Sequence, residues 1–117
     1  MNKYNELIAA LKRAQVKATE VGLLSDDGGT CNFDSPVLFL PKGTRETTMD
    51  KIGLCAGVSF MKWESKVFAA CGYSAWLIFG DFMSGQGNRR SRIAEAFTDS
   101  LKADGFESDT YYHQKMD

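Results

Sequence analysis

The sequence lacks the features that mark several common classes of protein. His113 is the one histidine in 117 residues, which excludes a zinc site built from several histidines. No apolar run approaches the ~18 residues of a transmembrane helix, and no charged segment followed by an apolar one opens the chain. We therefore expect a soluble, cytoplasmic protein without a membrane partner.

Cysteine is scarce, and its spacing excludes the usual frameworks. Cys31, Cys55 and Cys71 are odd in number, and no two are spaced as in Cys-x-x-Cys. This pattern favours reduced thiols over disulfides or zinc ligands. We expect the three to be buried as small apolar residues, and we expect no metal and no cofactor.

An excess of charge of one sign is also lacking. Fourteen basic and 15 acidic residues leave a net charge of −1, so the chain has no overall positive field of the kind that duplex DNA binders carry. This balance disfavours nucleic acid as a partner. The basic density is local, at Arg89, Arg90 and Arg92.

The first half of the chain predicts helices and strands that share one core. Apolar residues recur at three- and four-residue steps over residues 3–21, which predicts an N-terminal helix that Gly22 ends in the left-handed conformation. The continuous apolar run of residues 37–40 predicts a strand buried on both faces. A short helix is predicted over residues 45–56, closed by Gly57.

The second half predicts a β-α-β unit. Two strands are expected over residues 58–63 and 66–71, followed by a central strand over 74–82. A helix that ends at Gly105 and a final strand over 106–116 complete the unit, with its two strands parallel and its connection right-handed. We therefore predict one domain over residues 1–117, α/β or α+β, with two layers and a mixed β-sheet.

The loop before the last helix is the main candidate site. Gly85 and Gly87 offer flexible backbone amides, and Asn88 and the three arginines follow at the helix entrance. Strand, glycine loop and helix entrance is the order that builds an anion site from amides and the helix dipole. Arginine at this position opposes that dipole, which suggests that negative charge from elsewhere completes the site.

Phosphate is the anion that suits these side chains, because arginine forks match phosphate oxygens in pairs. The three arginines cannot all reach one phosphate, since successive helical residues point about 100° apart. Phe82, just before the loop, either stacks on a base or completes the core at the strand end. The loop is neither a Walker A loop, because the Gly-Lys-Ser/Thr ending is missing, nor a dinucleotide fingerprint, because its glycine spacing differs.

Evidence for an enzyme is thin. Acids for hydrolysis could come from Asp26, Asp27, Asp34 and Asp81, but spacing alone does not bring them together. No local signature supports a cysteine–histidine pair. We predict a binding protein with no catalytic residues.

Three segments carry a resemblance, namely Gly85–Arg92 with the helix behind it, the tail Tyr111–Asp117 and Thr30–Asp34. They resemble a set of small phage-encoded proteins, whose nearest characterised group is the first-described Thoeris anti-defence family. Members of that family are non-enzymatic sponges that sequester cyclic ADP-ribose-type signals, and some also hold cyclic oligonucleotides. The resemblance implies a homo-oligomer that binds a nucleotide signal near its subunit contacts. The matching positions are Phe82, Asn88, Arg89 or Arg92, Lys115 and Asp117, with Lys115 standing where an arginine is expected.

Three functions therefore stay open. The first is sequestration of a phosphate-bearing nucleotide signal as a phage anti-defence protein. The second is inhibition of a host defence nuclease through a protein contact, in the manner of an anti-CRISPR protein. The third is a small metal-dependent phosphodiesterase that uses Asp26, Asp27 or Asp81.

Overall fold

The computed structural model describes residues 4–24, 34–63, 69–83 and 88–111, with the side chain of Asn88 left out. Within these residues, three long helices pack on one face of a four-stranded sheet. The helices are α1 (Asn5–Leu24), α2 (Glu46–Ala56) and α3 (Asn88–Ala103), and the strands are β1 (Ser35–Pro41), β2 (Ser59–Trp63), β3 (Tyr73–Phe79) and β4 (Ser108–Tyr111). No helix of this described part combines the length and apolarity needed to cross a membrane.

The predicted α/β or α+β domain, with an N-terminal helix and a C-terminal β-α-β unit, is confirmed and is of the α+β kind, but its sheet is not mixed. The described strands lie in the order β2-β3-β1-β4, and every neighbouring pair is antiparallel. Strands β3 and β4 do run in the same direction. They are separated by β1, in which Val37 aligns with Leu77 on one side and Asp109 on the other.

Strand β1 is buried on both faces, as its continuous apolar run predicts. Val37 and Leu38 are 1% and 0% exposed and point to opposite faces of the sheet. Leu38 faces the helices, beside Trp76 of β3. A segment that is apolar on both sides gains most in the middle of a sheet, which explains why β1 lies between β3 and β4.

The face of the sheet that carries Val37 is bridged by an aromatic pair. The rings of Trp63 and Tyr111 meet edge to face, with centroids 4.7 Å apart. Trp63 belongs to β2 and Tyr111 to β4, the two outer strands of the described sheet. Because the twist of a sheet brings diagonal corners toward one face, the two rings meet above β3 and β1.

Helices α1 and α3 form the main interface of the helical layer, and this interface corrects the prediction for Gly22. The prediction that Gly22 ends α1 is wrong: the helix continues to Leu24. A Cβ atom on Gly22 would lie 2.9 Å from Cδ1 of Ile93, so this glycine lets α1 and α3 approach closely. The core between helices and sheet includes Leu11, Leu38, Met49, Trp76, Ile78, Phe97 and Leu101.

Other local predictions have mixed outcomes. Gly57 and Gly105 do follow their helices in the left-handed region, with φ angles of 82° and 90°. The strand predicted over 66–71 is wrong where the structure describes it, because Ala69 and Ala70 are helical and a turn follows them. Cys55 and Cys71 are free thiols, but both are exposed rather than buried.

Candidate functional site at the start of helix α3

The structure gives the three arginines different surroundings. Helix α3 begins at Asn88, and its first turn holds no acidic residue. Arg90 donates from Nε to the backbone carbonyl of Asp34, at 3.0 Å. Arg89 is partly buried beside a small cavity, and Arg92 is exposed. Arg90 therefore ties α3 to the start of β1, while Arg92 faces outward.

A buried acid supplies negative charge at this helix start. Asp34 is 1% exposed, and its Oδ2 atom accepts a hydrogen bond from the hydroxyl of Ser91 at 2.7 Å. A carboxylate near the positive end of a helix dipole is stabilising. Part of the negative charge that the arginines led us to expect from a ligand therefore comes from the chain itself.

Phe82 lies in the core at the end of the sheet. The residue is 6% exposed, and its ring stacks on that of Phe97 from α3, with centroids 4.5 Å apart. The ring also covers Gly80, where an added Cβ atom would lie 2.9 Å from Cε1 of Phe82. This burial favours the core alternative for Phe82 over stacking on a base.

The cavity beside Arg89 is small. It measures ≈ 70 Å³ and lies between α1, the end of β3 and α3. Pockets that enclose a whole small ligand usually measure roughly 300–1,000 Å³. This cavity can hold only a small group, so a nucleotide bound here would have most of its atoms outside it. Its lining residues are Thr19, Gly22, Leu23, Asp81, Phe82, Arg89 and Ile93.

Several predicted site residues fall outside the described part of the chain. They are Gly85, Gly87, Lys115 and Asp117, together with the side chain of Asn88 and the candidates Asp26, Asp27 and His113. Their proposed roles stay predictions. Asp81 is exposed and borders the small cavity. Within the described residues, no group of three or more histidine, cysteine, aspartate or glutamate side chains is placed to hold a metal ion.

Sequence reasoning found the arginine cluster and missed Asp34 as its internal partner. Asp34 and Ser91 are 57 positions apart in the chain, so no local pattern connects them. The available signal was an acid directly before a strand buried on both faces. An acid at such a position must find a polar partner when it is buried.

Comparisons with known proteins do not extend these observations. The sequence matches no protein-family model, no curated protein and no solved structure. The resemblance to the Thoeris anti-defence family therefore stays a prediction that rests on the three segments quoted above.

Proposed function

We propose that the protein binds a phosphate-bearing nucleotide at the start of α3 and holds it without chemical change. The observation that carries this proposal is the helix start itself, which has three arginines within its first five residues and no acid in its first turn. Arginine there opposes the helix dipole unless an anion offsets it. Asp34 offsets part of this charge from inside, and a bound phosphate would offset the rest.

Arg89 and Arg92 are the proposed phosphate contacts. Residues three apart on a helix are neighbours, with Cβ atoms roughly 5–6 Å apart, so these two lie on the same side of α3. Arg90 points elsewhere, toward the Asp34 carbonyl. Two guanidinium groups beside a helix N-terminus can bind adjacent oxygens of a phosphate or pyrophosphate.

Sequestration fits this chemistry better than catalysis. Guanidinium and amide groups hold an anion and stabilise its charge, but they supply neither a nucleophile nor a general base. From the resemblance we further propose that the ligand is a cyclic ADP-ribose or cyclic oligonucleotide signal. The protein would then act as a phage anti-defence sponge in the host cytoplasm, as a homo-oligomer.

Thermal unfolding with a nucleotide panel tests this proposal. The panel contains inorganic phosphate, ATP, cyclic ADP-ribose isomers and cyclic dinucleotides. A ligand at a hundred times its dissociation constant adds about 2.7 kcal/mol to the free energy of unfolding. We expect one cyclic nucleotide to stabilise the wild type in this way and to be recovered intact.

The variant Arg92→Ala should weaken that binding by about tenfold, because it removes a charge-assisted contact from an exposed position. Arg45→Ala is the matched control, since Arg45 is an exposed arginine at the N-terminus of α2. It should leave the affinity unchanged. Equal effects of the two variants, or no stabilisation by any member of the panel, would overturn the anion site. Recovery of a cleaved ligand would overturn sequestration.

A further inference from the structure

A second concave surface lies between α2 and the outer strand β2; it shares Asp81 with the small cavity beside Arg89, but none of the three arginines lines it. Two cavities of ≈ 590 and ≈ 300 Å³ border the same helix and strand and share Asp50 and Phe60. The larger cavity reaches Gly80 and Asp81 after β3, and the smaller reaches Lys62 and Trp76. Together they form one groove along β2, which we call the α2–β2 groove.

The larger cavity is apolar inside and acidic at its rim. Met49 and Val58 are buried within it, and Leu54 stands 85% exposed beside it. The charged side chains that line it among the described residues are Asp50 and Asp81, both acidic. The surface therefore suits an occupant that is both apolar and positively charged.

The smaller cavity continues the same character. Glu46 and Asp50 of α2 line it opposite Phe60 and Met61 of β2. The basic residue of its lining, Lys62, lies with Nζ 5.9 Å from the centroid of the Trp76 ring. Glu46 and Asp50 outnumber Lys62 among the charged side chains of this lining, so its net charge is negative.

The groove also lies along the edge of the sheet. Strand β2 ends the described strand order, and the outer edge of such a strand presents backbone N–H and C=O groups. Among the glycines of the lining, Gly57 is open: a Cβ atom there would have its nearest neighbour, Oε1 of Gln15, at 4.0 Å, which leaves room for an approaching main chain. An extended peptide that adds to an exposed sheet edge gains main-chain hydrogen bonds and places alternate side chains in pockets.

We infer that the α2–β2 groove binds an extended segment of a partner protein in which lysine or arginine alternates with an apolar side chain. The apolar side chain enters the larger cavity above Met49 and Val58, and the basic side chains meet Asp50 and Asp81. The peptide backbone runs beside Phe60 and Met61. This inference goes beyond nucleotide binding. The acidic and apolar lining of the α2–β2 groove is the observation that favours a protein-binding function.

A second copy of the chain suits the groove less well. Two copies that paired through β2 would bring Glu46 and Asp50 of one beside the same acids of the other. Like charges placed together across an interface are costly. A basic segment removes this repulsion instead of adding to it.

Fluorescence anisotropy with a labelled peptide tests the inference on the full chain at low salt. The probe is Lys-Val-Lys-Val-Lys-Val, and its counterpart Glu-Val-Glu-Val-Glu-Val has the same apolar residues with the opposite charge. We expect the lysine peptide to bind and the glutamate peptide to bind at least about tenfold more weakly. Backbone amide resonances of Phe60 and Met61 should shift on titration, and that of Asp109 in β4 should not.

Variants locate the binding surface. Asp50→Lys and Leu54→Lys change exposed residues of the groove, so the fold should tolerate both. Each variant should weaken binding of the lysine peptide by about tenfold or more. Asp99→Lys and Val16→Lys, at exposed positions on α3 and α1, are matched controls and should change the affinity by less than about twofold. Arg92→Ala should leave peptide binding intact, which separates this groove from the proposed nucleotide site.

Three results would overturn the inference. Equal binding of the lysine and glutamate peptides would remove the role of charge, and unchanged binding by Asp50→Lys and Leu54→Lys would place the peptide elsewhere. Sedimentation that shows a dimer dissociated by Leu54→Lys, with no peptide binding, would assign the groove to contacts between copies of the chain.

Discussion

At the scale of single residues, the start of α3 depends on a hydrogen bond that the sequence does not reveal. Asp34 is buried where β1 begins, and it accepts from the Ser91 hydroxyl while its carbonyl accepts from Arg90. These contacts set the direction in which α3 leaves the sheet. They also give the arginines different roles: Arg90 is held against the Asp34 carbonyl, and Arg92 stays exposed at the surface.

Replacing Asp34 should therefore destabilise the fold. We expect Asp34→Ala to lower the free energy of unfolding by about 1–3 kcal/mol, because it removes the acceptor of a buried hydrogen bond. Asp34→Asn keeps an oxygen acceptor at the same place and should cost less. Urea unfolding measures both. If Asp34→Ala unfolded at the same urea concentration as the wild type, the contact with Ser91 would not stabilise the protein.

At the scale of the helices, glycines decide how closely neighbouring elements approach. Gly22 and Gly53 both lie inside helices, where glycine is unfavourable by roughly 1 kcal/mol relative to alanine. Sequence reasoning took the first as a helix stop. Gly22 faces Ile93, which lies far along the chain, so no local pattern contains that contact, whereas Gly53 packs against the carbonyl of Val58 in the turn that closes α2.

The two glycines should respond differently to alanine. At Gly53 the added Cβ atom would lie 2.5 Å from the carbonyl oxygen of Val58, a backbone atom that cannot move without disturbing the turn into β2. We expect Gly53→Ala to destabilise the protein by about 1–3 kcal/mol, as overpacking does.

In Gly22→Ala the added Cβ atom meets the end of the Ile93 side chain, which can move aside by a small shift. The remaining strain and the higher helix propensity of alanine should then nearly cancel, so we expect little change in stability. Adding Ile93→Val removes the contacting Cδ1 atom. The alanine should then be stabilising relative to Ile93→Val alone. Thermal unfolding compares these three variants and Gly53→Ala with the wild type. If Gly53→Ala and Gly22→Ala lost equal stability, it would make no difference whether the added Cβ atom meets a backbone atom or the end of a side chain.

At the scale of the whole molecule, the sequence predicts the elements better than their arrangement. A period of 3.6 identifies α1, a continuous apolar run identifies β1, and strand-like and helical segments identify β2 and α2, which limits the class to α/β or α+β. The strand order does not follow from them. A β-α-β unit fixes the relative direction of β3 and β4, but β1, which comes from much earlier in the chain, takes the place between them.

The candidate site also has features that local sequence predicts and features that it does not. Local sequence is enough to find the arginines and the helix start, because both depend on neighbours in the chain. The burial of Phe82 against Phe97 and the contact of Arg90 with Asp34 depend on how α3 packs. Both contacts are therefore visible only once the helix is docked on the sheet.

The aromatic contact between the two outer strands of the described sheet gives the last prediction. Trp63 and Tyr111 come from the outer strands β2 and β4, and their rings meet across the two strands between them. Aromatic pairs contribute about 0.5–1.5 kcal/mol beyond the apolar area that they bury. A double-mutant cycle with Trp63→Ala and Tyr111→Ala should therefore show a coupling energy of that size in urea unfolding.

A control cycle should show no such coupling. Trp63 and Ile93 lie on opposite sides of the sheet, because Trp63 aligns with Ala75 on the face of Val37 and Ile93 packs among the helices. Trp63→Ala and Ile93→Val should then be additive within about 0.5 kcal/mol. If the Trp63–Tyr111 cycle were equally additive, the two rings would not join the outer strands energetically.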